Sequence, residues 1–181
     1  QDTFAILDLI YSCIDENTDV YYKEHPATFA PIHVYNSTHY RNKYFFKKLS
    51  KYKNLKMLSL NSKLNECVKN AKAVITMNST SGVESLILGK PVLLFGRSWY
   101  EKCDGVFKIE DYNACKKAFE KINSGYKPNF NKVKAYLNSV ALSCDKNIIH
   151  DNSIRSSEND NSEFVENISK LLHKKYIEYY K

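Results

Sequence analysis

Several broad classes are excluded by what this chain lacks. Its five cysteines, Cys13, Cys67, Cys103, Cys115 and Cys144, form no C-x-x-C pair and no spacing typical of a disulfide framework. An odd set of that kind reads as reduced thiols in a cytosol, and none stands out as a nucleophile. No apolar run approaches the ~20 residues of a membrane-spanning helix. The N-terminus, QDTFAILDLIYSCIDEN, has neither the basic start nor the cleavage region of a signal peptide. It also opens directly on a helical pattern without an initiating methionine, as a piece of a longer protein would. There is no internal repeat. The 27 Lys and Arg residues behind the net charge of +7 are scattered, which points only generally to anionic partners. The 14 tyrosines are spread along the chain with no RNA-binding signature beside them, so nucleic acid is not an expected partner. His33 and His39 have no Cys, Asp or Glu at ligand spacing, and no metal site is read from them.

What remains is an ordinary globular composition, 43% apolar and 26% charged over 181 residues, enough for one sizeable core. Phe4, Leu7, Ile10 and Ile14 mark a helix over about 3–15, and Val20 to Tyr22 a strand. That strand ends at Lys23-Glu24-His25-Pro26, where the proline stops a central ladder and holds His25 extended. A helix through Tyr44, Phe45 and Leu49 follows, then a strand within 55–60. Asn61 and Ser62 are expected to turn the chain and cap a short helix through Leu64 and Val68. A strand over 105–109 and a helix over 112–122, with Ala114, Phe119 and Ile122 inward, come later. From residue 129 the pattern is helical only. One stripe carries Phe130, Val133, Tyr136, Leu137 and Val140, and a second carries Phe164, Ile168, Leu171 and Leu172. Residues 151–162 between them are polar and read as a loop.

The segment from Ala71 to Gly96 organises the rest. Ala73 to Thr76 is a short β-branched run suited to a strand buried on both faces. Asn78, Ser79, Thr80, Ser81 and Gly82 then break it with small polar residues suited to the start of a helix. Val83, Leu86 and Ile87 recur at helical spacing, Gly89 is placed to end that helix left-handed, and Pro91 opens the next strand. This is a βαβ unit, and the alternation around it predicts an α/β fold: a Rossmann-like, doubly wound parallel sheet with helices on both faces, followed by C-terminal helices. The expected division is a nucleotide-binding domain over 1–125 and a helical segment packing on it over 126–181.

In such a sheet a ligand sits beyond the carboxyl ends of the strands. His25, the Asn61-Ser62 turn and the Ser79-Thr80 turn each follow a strand, so all three groups are expected at one crevice, with Lys23 adding charge. Hydroxyls, backbone N–H groups and an imidazole suit a phosphate without metal. The same hydroxyls also suit ordinary helix capping, and both readings stand at this point.

The combination of KEHP at 23–26, TMNSTSGVESLILGKPVLLFG at 76–96 and WYEKCDGV at 99–106 resembles the capsule polysaccharide biosynthesis family, bacterial β-Kdo transferases of GT-B architecture. It resembles their C-terminal, nucleotide-binding half over about residues 1–125. The resemblance implies a glycosyltransferase domain that binds a CMP-sugar, CMP-Kdo above all, with no cofactor and no metal. It implies that His25 and the Ser79-Thr80 pair hold the phosphate, with Pro26, Asn78, Ser81 and Gly82 also in the donor-binding site. Lys23 lies beside it, Asn61 and Ser62 lie near the base, and Glu84 reaches a ribose hydroxyl or simply favours the helix dipole. The catalytic group and the glycolipid or saccharide acceptor site are expected in an N-terminal half that these residues do not include, so the fragment alone should be inactive. Ala27 to Pro31 stand where the family commonly has a glycine after its His-Pro. The expected location is cytoplasmic, at the cytoplasmic face of the inner membrane. There the last stripe, with Lys170, Lys174, Lys175 and Lys181, would lie on the surface or pack on its own domain. The alternatives are a UDP-sugar transferase or 2-epimerase of the same architecture, and a non-catalytic polysaccharide export or scaffold protein.

Overall fold

A computed structural model describes residues 2–29 and 41–143. The readings placed on Pro31, His33 and His39, on Cys144, on the 151–162 stretch and on the Phe164–Leu172 stripe lie outside the described residues. Two compact units divide the chain, Gln1–Val133 and Lys134–Lys181, and of the second only 134–143 are described, all within one helix.

The first helix, α1 (Thr3–Tyr11), is capped by Asp2, whose carboxylate accepts from the Phe4 N–H at 2.9 Å. It ends four residues before the pattern predicts. Ser12 donates its hydroxyl to the Leu9 carbonyl, and the Cys13 N–H turns back three residues to Ile10. Such tightening closes a helix whatever apolar residue follows. Strand β1 (Val20–Tyr22) leads into a 3₁₀ turn at Pro26–Phe29. Next come α2 (Lys43–Leu49), capped by the Asn42 side chain on the Tyr44 and Phe45 N–H groups, and β2 (Leu55–Met57). Helix α3 (Leu64–Lys69), β3 (Val74–Thr76), α4 (Ser81–Ile87) and β4 (Val92–Leu94) follow. The described chain closes with β5 (Val106–Lys108), α5 (Tyr112–Asn123) and α6 (Phe130–Ser143). Gly89 has φ +72°, the left-handed conformation expected of the residue that ends α4.

All strand pairs are parallel, as expected of a Rossmann-like α/β fold. The ladder falls into two pieces, β1 beside β2 and the order β3-β4-β5, with Val74 opposite Val92 and Val92 opposite Val106. Central β4 is fully buried, and its alternation serves both faces. Leu93 joins Ile109, Cys115, Ala118 and Ile122 in the cluster under α5, while α4 packs against the same strand. Helix α1 joins the pieces. Leu7 packs with Phe45 and Leu49 beside Tyr22 and Leu55, whereas Leu9 and the adjoining Cys13 pack against the cluster that holds Leu93. Burial, and then the neighbouring Cys13 thiol, push the Cys115 thiol up to about 12.

On two helices the apolar residues of the pattern are only partly buried. On α4 the buried residues are Gly82, Ser85 and Leu86, while Ile87 is exposed. Ser85 tolerates complete burial because its hydroxyl donates to the Ser81 carbonyl at 2.6 Å, one turn back. On α6, Phe130 is exposed and Val133 is the buried member of the stripe.

Candidate functional site

The parallel register sets the predicted residues at the carboxyl ends of three strands. Lys23, His25 and Pro26 follow β1, Asn61 and Ser62 follow β2, and Asn78 to Gly82 follow β3. The groups after β1 and β2 are tied directly, because the Lys23 ammonium donates to the Leu60 carbonyl at 3.0 Å. An ammonium has three N–H donors, and this tie uses one of them. Among the described residues no strand pairing joins the β1-β2 ladder to β3.

The turn after β3 is built around Ser79. Its N–H donates to Thr76 Oγ1 at 3.2 Å, and its Oγ accepts from both the N–H and the hydroxyl of Ser81, at 3.2 and 3.0 Å. Its carbonyl accepts from the Gly82 N–H at 3.1 Å and from Tyr100 Oη at 2.6 Å. Thr80 is the N-cap residue of α4 yet has helical backbone angles, φ −59° and ψ −20°, and makes no side-chain cap bond. Capping therefore accounts for Ser79 and leaves the Thr80 hydroxyl without that duty. Asn78, Ser79 and Thr80 are all exposed.

Tyr100, which follows β4, is the pin beneath this turn. It is wholly buried, and burial raises its phenol above the ordinary value, so it remains a hydrogen-bond donor. Its ring lies so close to α4 that a Cβ on Gly82 would sit 2.4 Å from Oη and 2.7 Å from Cζ. Gly82 is thus required for close packing, beyond the helix-start and donor-binding place expected of it. No local pattern reveals Tyr100, since its partner lies 21 residues away. Its one outward sign is its place within WYEKCDGV.

Just beyond β1, Glu24 is buried, 6% exposed, and His25 beside it is exposed. The Glu24 carboxylate accepts from Tyr22 Oη at 2.8 Å, from Arg41 Nε at 2.5 Å and from Thr28 Oγ1 at 3.5 Å. Burial and then the bond to Glu24 raise the Tyr22 phenol. Asn61 and Ser62 make the expected turn but do not cap α3. The N-cap is Lys63, with no side-chain bond, and Ser59 organises the turn by accepting the Asn61 N–H on Oγ and the Ser62 N–H on its carbonyl. Glu84 is exposed in the first turn of α4. Among the described residues no group of three His, Cys, Asp or Glu side chains could hold a metal. A cleft of about 550 Å³ between β5 and α5 is lined by none of the predicted residues.

Comparison with known proteins bears on the same stretch. The family described as "Capsule polysaccharide biosynthesis protein" matches residues 2–108, which hold all three turns and Tyr100. Protein FixF of Sinorhizobium fredii is 27% identical over 113 residues, 61% of this chain and 25% of its own length. The chain thus spans about a quarter of that curated relative. No solved structure gives a significant match.

Proposed function

This chain belongs to the capsule polysaccharide biosynthesis family, and from that premise we propose that its α/β unit binds the CMP moiety of a CMP-sugar, CMP-Kdo in particular, for a glycosyltransferase. The observation that carries the reading is the Ser79-centred turn. Its shape is fixed from below by Tyr100, its own cap is satisfied by Ser79, and it still presents the Thr80 hydroxyl at the carboxyl end of β3.

The chemistry asked of these residues is electrostatic. When the sugar leaves CMP, the phosphate gains charge on the oxygen that bonded the anomeric carbon, and preorganised donors aimed there lower the barrier. In this assignment His25 and the Ser79 and Thr80 hydroxyls donate to the phosphate oxygens. Lys23, already directed to this end by its bond to Leu60, supplies positive charge. Asn61 and Ser62 approach the cytosine, and Glu84 accepts from a ribose hydroxyl. The acceptor and the group that activates it belong to a further half of the whole protein, at the cytoplasmic face of the inner membrane. Within the chain we assign nucleotide binding to 1–125 and an accessory helical role to 126–181.

Calorimetric titration with CMP, UMP and cytidine tests this. CMP should bind more tightly than UMP. His25→Ala and Ser79→Ala/Thr80→Ala should each weaken CMP by about 1–3 kcal/mol, for lost charge-assisted bonds, and leave cytidine, which has no phosphate, nearly unchanged. Equal losses for CMP and cytidine would reduce the hydroxyls to structural caps, and a preference for UMP would favour a UDP-sugar enzyme.

A further inference from the structure

Glu24 is a buried carboxylate within KEHP that the phosphate assignment leaves unused. Burying a carboxylate is costly unless donors surround it, and here three converge from three different places. Tyr22 belongs to β1, Thr28 to the 3₁₀ turn beyond His25, and Arg41 to the residue before the Asn42 cap of α2. Arg41 is itself held, with its guanidinium carbon 4.2 Å from the Phe45 ring centroid. Phe45 is 8% exposed, in the cluster with Leu7 and Leu49.

The carboxylate therefore grips the chain on both sides of His25, two residues before Glu24 and four after it. Between those grips Pro26 biases His25 to an extended backbone, and the His25 side chain is exposed where the neighbouring carboxylate is buried. We propose that Glu24 is a positioning residue for His25: the clamp to Tyr22, Thr28 and Arg41 fixes where the imidazole is presented to a ligand phosphate. The link to phosphate rests on the CMP-binding reading. The link to His25 does not.

Two measurements separate these. In the ligand-free protein, the His25 imidazole signals in a ¹H–¹³C NMR spectrum report its surroundings directly. Glu24→Ala should shift and broaden them, Arg41→Ala should do the same from the other side of the clamp, and Glu24→Gln, which keeps an acceptor oxygen, should restore much of the native signal. Lys53→Ala, which breaks an ion pair with Glu16 on the exposed surface, should leave them unchanged. With CMP, Glu24→Ala should weaken binding about tenfold, the scale of one charge-assisted bond, with cytidine unaffected. Adding His25→Ala should cause little further loss, since the two act through one group. If Glu24→Ala does not fold, Arg41→Ala and Arg41→Lys provide the same readouts from the other side of the clamp. Unchanged His25 signals in folded Glu24→Ala or Arg41→Ala protein would overturn the proposal. Absence of CMP binding by the parent protein would overturn the nucleotide reading alone, because the ligand-free spectra would still decide the clamp.

Discussion

Gly82→Ala should damage this protein although it replaces a residue of poor helix propensity with the best. Ala is favoured over Gly by about 1 kcal/mol in a helix interior, and by less in a first turn. Against this, the new Cβ would lie 2.4 Å from Tyr100 Oη, 2.7 Å from Cζ and 2.9 Å from Cε2. Tyr100 has no exposed surface and meets Trp99 edge-on at 5.5 Å between ring centroids, so its ring cannot simply swing away. Overpacking of this kind costs about 1–3 kcal/mol, and displacing Oη from the Ser79 carbonyl costs about 1 kcal/mol more. The net expectation is a loss of about 1–3 kcal/mol, or roughly 3–10 °C in Tm for a chain of this size. Thermal melts of Gly82→Ala, Tyr100→Phe and the double variant measure it. Phenylalanine removes the nearest contact but keeps the ring, so the double variant should lose less than the sum of the singles. A Gly82→Ala protein as stable as the parent, or strictly additive losses, would refute the close approach and with it the claim that Tyr100 sets the Ser79 turn.

CMP binding should survive excess EDTA, because the donors assigned to it are hydroxyls, N–H groups and cations with no carboxylate cluster among them; calorimetry with and without chelator checks this, and loss of binding would argue for a metal-assisted site. Alkylation of the native protein near pH 8 should modify half-buried Cys67 well before Cys103 and Cys115, whose thiols are buried and shifted upward, Cys115 to about 12. Peptide mass mapping over time gives the order, and early labelling of Cys115 would contradict its burial.

Local chemistry was enough to find the elements and too little to find what holds the site. The β-branched run before Thr76, the small polar residues after it, Gly89 and Pro91 each obey short-range rules, and β3, α4 and β4 appear where those rules put them. Helix faces were harder to read. Ser85 is buried because a hydroxyl can satisfy itself on the preceding turn, and Ile87 is exposed on the other side, so polarity alone assigns both wrongly. Tyr100 and Glu24 escaped for a related reason. A tyrosine among fourteen and a glutamate within a charged run acquire meaning only through partners brought near by the fold, Ser79 in one case and Arg41 in the other.

The bond from Tyr100 to Ser79 also bears on the order in which the site is assembled. It closes a loop of 21 residues that contains only α4 and β4, and short loops close with little entropic cost. Contacts of short sequence separation favour fast folding, so the turn and its pin belong to a unit that can form before the tie from Lys23 to Leu60, which spans 37 residues. Stopped-flow refolding should then show Tyr100→Phe slowing folding with little change in unfolding, a φ-value near one. A variant at Lys23 should show the opposite partition, with the β1 and β2 ends drawn together only after the hydroxyl turn has set.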